Sequence, residues 1–75
     1  MAKIITTLRD DALAVFAGQT ITGETLEAHT SLRYLAERGR KQTFGSWMTM
    51  TKALEAAGMT VDYSGAEPAY TFPAA

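Results

Sequence analysis

Leu35-Ala36-Glu37-Arg38-Gly39-Arg40-Lys41-Gln42-Thr43, followed by Phe44-Gly45-Ser46-Trp47-Met48-Thr49-Met50 and then Lys52-Ala53-Leu54-Glu55-Ala56-Ala57-Gly58, holds a helix end, a polar turn and a complete second helix. Gly39 stops the first of these helices, because a glycine enters the left-handed conformation that closes a helix without a Cβ penalty. Arg40-Lys41-Gln42-Thr43 is polar and reads as a turn. Either Thr43 or Ser46 supplies the oxygen that caps the next helix. Trp47, Met50, Leu54 and Ala57 then recur at steps of three and four, which lines up one buried stripe before Gly58 ends the helix.

Upstream, Thr22 is a capping residue for a stretch in which Leu26, His29, Leu32, Leu35 and Ala36 repeat at helical spacing up to Gly39. Residues 22–39 are one long helix or two short ones, since the hydroxyls of Thr30 and Ser31 compete for backbone groups and permit a break. Gln19-Thr20-Ile21-Thr22 is a brief strand or an extended connection. An earlier helix is expected over 8–17, capped by Thr7, with Asp10 in its first turn and Gly18 after its end. Its apolar face is Leu8, Ala12, Val15 and Phe16, and Arg9, Asp10 and Asp11 face water.

Downstream the period changes. Met59-Thr60-Val61-Asp62-Tyr63 and Tyr70-Thr71-Phe72 alternate large and polar residues around Ser64-Gly65-Ala66-Glu67-Pro68, which predicts a β-hairpin. Val61 and Tyr63 would face Tyr70 and Phe72 across it, and Pro73 ends the second strand because it cannot donate to a ladder. The expected fold is α+β: a single domain over 1–75 with three helices, or four if 22–39 divides, followed by a C-terminal hairpin.

At 75 residues the chain has room for one core, and so small a core gains from dimerisation. Apolar residues are 47% and charged residues 20%, the balance of a folded globule. Without cysteine there is no disulfide or thiolate metal site, and His29 alone makes no zinc site, so no metal and no cofactor is expected. The N-terminal residues lack the apolar run of a secretion signal, and no stretch of about 18 apolar residues would span a membrane, which points to a cytoplasmic protein. Glycine-rich phosphate loops and nucleophile–base pairs are also missing, so the chain reads as a binder and not an enzyme. His29, beside the apolar stripe, reads as a half-buried, hydrogen-bonded core histidine. Trp47 and Met50 read as core and Met48 as exposed.

The net charge of −1 excludes indiscriminate coating of nucleic acid, but the charge is unevenly placed. Arg33, Arg38, Arg40, Lys41 and Lys52 are five of the seven Lys and Arg, and only Glu37 opposes them within residues 33–52. The helix end at Leu35–Gly39, the basic turn, the helix Ser46–Gly58 and the hairpin from Val61 to Phe72 together resemble the second half of a winged helix-turn-helix domain, over residues 32–72. The resemblance implies that residues 46–57 form the recognition helix, with Ser46, Thr49 and Lys52 toward the bases in the major groove. It also implies that Arg38, Arg40 and Lys41 hold phosphates beside the groove, and Arg33 completes the candidate nucleic-acid-binding set. Three or four phosphate contacts bind weakly, so a specific binder of double-stranded DNA would act as a homodimer. The alternative partner is a protein: an inhibitor or accessory subunit that docks through the acidic first helix or through exposed aromatic and methionine side chains.

Overall fold

The computed structural model describes residues 2–74. Its elements run α1 (Ala2–Val15), β1 (Thr20–Thr22), α2 (Gly23–Arg38), α3 (Phe44–Ala56), β2 (Thr60–Asp62) and β3 (Ala69–Thr71). The fold is α+β, three helices on a three-stranded antiparallel sheet of order β1-β3-β2.

α1 begins well before residue 8, and Thr7 lies inside it and does not cap it. Ile4 continues the row Leu8 and Ala12 one turn upstream and packs against the core. That burial outweighs the weak helix preference of the β-branched residues Ile4, Ile5, Thr6 and Thr7. Asp11 does not face water: it meets the His29 Nε2 of α2 at 2.6 Å, and the edge of Phe16 packs on the imidazole. His29 is thus the half-buried, hydrogen-bonded residue its position suggested. Val15, placed on the apolar face by its spacing, is exposed.

α2 is one uninterrupted helix. The Thr22 hydroxyl accepts the Thr25 amide at 3.1 Å, and Gly39, at φ 70°, donates its amide to the Leu35 carbonyl at 2.7 Å. The buried row is Leu26, Thr30 and Tyr34, four residues apart. Leu32 and Leu35, expected inside, are 70% and 47% exposed, and Ala36 is exposed too. The reason lies in Thr30. Its hydroxyl meets the Leu26 carbonyl at 3.0 Å and the Gln42 Oε1 at 3.1 Å, so a polar residue is satisfied at a position that is 0% exposed. Turning that row inward turns Leu32 and Leu35 to the opposite side.

α3 is capped by Thr43, whose hydroxyl oxygen accepts the Ser46 amide at 3.1 Å. Met50 and Leu54 are fully buried, and Trp47 is half-buried with its ring edge-on to Tyr70. Ala57 falls outside the stripe, exposed at the C-terminal cap. In the sheet, Tyr70 of β3 sits between Ile21 and Val61. Met59 and Phe72 extend the same buried face, but Tyr63 is 72% exposed, because β2 ends at Asp62 and the chain turns where the Asp62 carboxylate accepts the Ser64 amide. Gly23 starts α2 against Tyr70: a Cβ there would stand 3.0 Å from the ring. The core unites α1, α2, α3 and the sheet around Leu8, Phe16, Leu26, Tyr34, Met50, Leu54 and Phe72.

Candidate nucleic-acid interface

The row that seats α2 in the core also leads out of it. Leu26, Thr30, Tyr34 and Arg38 are successive members of one four-residue series, so the side that buries Tyr34 ends at Arg38. The Tyr34 ring is 4% exposed, while its hydroxyl reaches the Ser46 side chain and the Arg40 guanidinium. The hydrogen bond from Ser46 is the main cause that holds the Tyr34 hydroxyl below its ordinary pKa. The bond from Arg40 acts in the same direction; desolvation opposes both bonds, and the charges of Arg40 and Arg38 add smaller effects that lower it further. Ser46 in turn takes the Thr43 hydroxyl proton at 3.0 Å. The paired Thr43–Ser46 bonds therefore fix the first turn of α3 beside the Tyr34 hydroxyl.

These groups line a cavity of about 470 Å³ between the start of α1, the end of α2 and the first turn of α3. Ile4 and Ile5 supply its apolar wall. Arg38, Arg40 and Tyr34 supply donors, and Thr43, Gly45, Ser46 and Thr49 its α3 side. Two guanidinium groups and several hydroxyls at the positive end of a helix suit an anion such as a phosphodiester.

Of the seven residues singled out from the sequence, Arg38, Arg40, Ser46 and Thr49 come together here. Thr49 donates its hydroxyl proton to the Gly45 carbonyl at 2.9 Å, leaving its methyl and a lone pair to the outside. Lys52 lies on the same exposed side of α3, three residues on. Arg33 is elsewhere: it stands five residues, or about 140°, from Arg38 around α2 and pairs with Glu37 at 3.6 Å. Lys41 is elsewhere too, beside Leu32 and Leu35 on the outer side of α2. The loop between β2 and β3 presents Glu67 and no cation. Tyr34 was missed from the sequence, although its position four residues after Thr30 and four before Arg38 was the available signal.

Among the described residues, no group of three or more His, Asp or Glu side chains is placed to hold a metal ion, and no helix is long and apolar enough to cross a membrane. Compared with known proteins, the chain matches no family model, no curated protein and no solved structure.

Proposed function

We propose that this chain is a small cytoplasmic DNA-binding regulatory domain of winged-helix type, which acts as a dimer and lays α3 in the major groove. The observation that carries the reading is the convergence of Arg38, Arg40, Tyr34 and Ser46 at the head of α3. The order of elements supports it, since a helix, a turn and a second helix run directly into an antiparallel hairpin.

In this arrangement Arg38 and Arg40 grip a backbone phosphate, with the Tyr34 hydroxyl as a third donor, and so set the register of α3 on the duplex. Gly45, Met48, Thr49, Lys52 and Glu55 form the outward side of α3. Lys52 suits the guanine O6 and N7 acceptors, Glu55 the cytosine amino group, and the Thr49 and Met48 methyls the thymine methyl. One gripped phosphate per protomer gives a salt dependence of about −0.9 in log K against log salt per protomer. The Glu67 loop stays off the phosphates.

Fluorescence-anisotropy titration of random duplex DNA at low and moderate salt tests this. Wild type is expected to bind at low salt with that slope. Arg38→Ala/Arg40→Ala should lose nearly all of it, whereas Arg33→Ala, about 140° away around α2 and paired with Glu37, should change it little. Absence of binding at low salt removes the DNA reading in favour of a protein-interaction module, for which the exposed Leu32, Leu35 and Phe44 are the available contacts.

A further inference from the structure

α2 carries two apolar faces, and only one of them is used by the core. Ala28, Leu32 and Leu35, at steps of four and three, form a stripe on the side opposite the buried Leu26, Thr30 and Tyr34. The stripe borders a depression of about 560 Å³ whose lining is mostly apolar, with Glu27 toward its N-terminal end and Lys41 at its C-terminal end. Phe44, 76% exposed, adds a further apolar side chain beside Glu27 and Gln42. Apolar residues lined up like this on an otherwise polar helix mark a surface that is covered in the working state.

The geometry points to a second copy of this chain as the cover, bound through α2 about a two-fold axis with the two α2 helices antiparallel. The charges at the two ends decide this. Among the described residues neither Glu27 nor Lys41 has an ion-pair partner within its own chain, whereas Arg33 is already paired with Glu37. An antiparallel two-fold contact lays Leu32 and Leu35 of one copy against those of the other. It also brings Glu27 of each copy to Lys41 of its partner, one attractive pair at each end of the seam. A parallel contact would place Glu27 on Glu27 and Lys41 on Lys41. The two helix dipoles also oppose each other in the antiparallel form. The inference deepens the dimeric part of the proposed function, yet the surface lies away from the Arg38–Arg40 cavity and needs no DNA.

A dimer that covers about a tenth of each protomer's 4726 Å² would sit at the small end of specific interfaces, with dissociation on the order of micromolar. Sedimentation equilibrium of the full chain without DNA, from about 1 µM to 1 mM, reads this directly. The expected result is a rise from the 8.1 kDa monomer to twice that mass. Leu32→Glu, at a site too exposed to disturb folding, should stay monomeric throughout with an unchanged circular dichroism spectrum. Glu27→Lys and Lys41→Glu should each weaken association at low salt by about tenfold, from two pairs turned repulsive, and the double reversal should restore it. A monomer at every concentration overturns the inference. So does a dimer that Leu32→Glu leaves intact, or a double reversal no better than the singles. DNA binding by a strictly monomeric chain would remove the interface and the dimeric part of the functional reading, and leave its DNA-binding part standing. A dimer blind to DNA would do the reverse.

Discussion

Thr43 sits at two levels of the structure at once, and two substitutions there separate them. Its hydroxyl oxygen caps α3 by accepting the Ser46 amide at 3.1 Å, and its side chain also lines the Arg38–Arg40 cavity. Thr43→Ala removes the cap and the 3.0 Å hydroxyl bond to Ser46 but brings no charge to the cavity, and costs about 1 kcal/mol. For a domain of this size that lowers the melting temperature by about 4–8 °C. Thr43→Asp keeps an acceptor at the cap and adds a charge that the helix dipole favours, so the melting temperature should stay within about 3 °C of wild type. The same carboxylate, however, competes with phosphate for the two guanidiniums. Duplex affinity at low salt should fall by about tenfold, with the salt slope reduced by about one unit per protomer. Thermal melts followed by circular dichroism, together with anisotropy titrations, read both effects. Alanine should damage stability and spare binding, and aspartate should do the opposite. If aspartate binds DNA as wild type does, the cavity is not the phosphate seat. If aspartate melts as low as alanine, the capping argument fails.

Three further outcomes follow from the same contacts. Leu26→Ala should cost about 3 kcal/mol, enough to bring so small a domain close to unfolding, while Leu32→Ala should cost less than about 0.5 kcal/mol in urea titrations. Equal costs would put the wrong face of α2 inside. Gly23→Ala gains about 0.5–1 kcal/mol of helix preference but drives a Cβ to 3.0 Å from the Tyr70 ring, so a net loss of about 1 kcal/mol is expected in thermal melts, and a stabilised variant would show that the ring yields. In an alkaline titration followed by NMR, Tyr34 should ionise before Tyr70, which burial pushes up, and Arg40→Ala should move Tyr34 toward its ordinary value. The signs are opposite: Tyr34, lowered in the folded state, adds stability as pH rises toward 10, and Tyr70, raised, loses it as pH rises above 10.

The parts of this fold that were legible in the sequence are those set by local chemistry. Thr22 and Thr43 cap their helices, and Gly18, Gly39 and Gly58 adopt positive φ where the helices stop, because caps and left-handed turns need only the residues around them. The alternation around Val61 and Tyr70 likewise gave the hairpin. What failed required knowing a neighbour. The reach of α1 back to Ala2 depends on the core that Ile4 meets. The face of α2 was misjudged because hydrophobicity counts Leu32 and Leu35 as core and Thr30 as surface. The Gln42 side chain and the Leu26 carbonyl reverse that order. For the candidate site, the cluster of cations was visible but its division was not. Helical geometry sends Arg38 toward Tyr34 and Arg33 toward Glu37, and only the folded turn shows Arg40 at the cavity and Lys41 outside it.

Amide chemical-shift mapping by NMR, with a random duplex of about a dozen base pairs added at low salt, tests the placement of DNA on this surface most directly. The largest changes are expected from Arg38 through Lys52, strongest at Arg40, Gly45, Ser46 and Thr49, with the β2–β3 loop around Glu67 unmoved. Changes centred on Ala28, Leu32 and Leu35, or none at all, would contradict a DNA-binding α3.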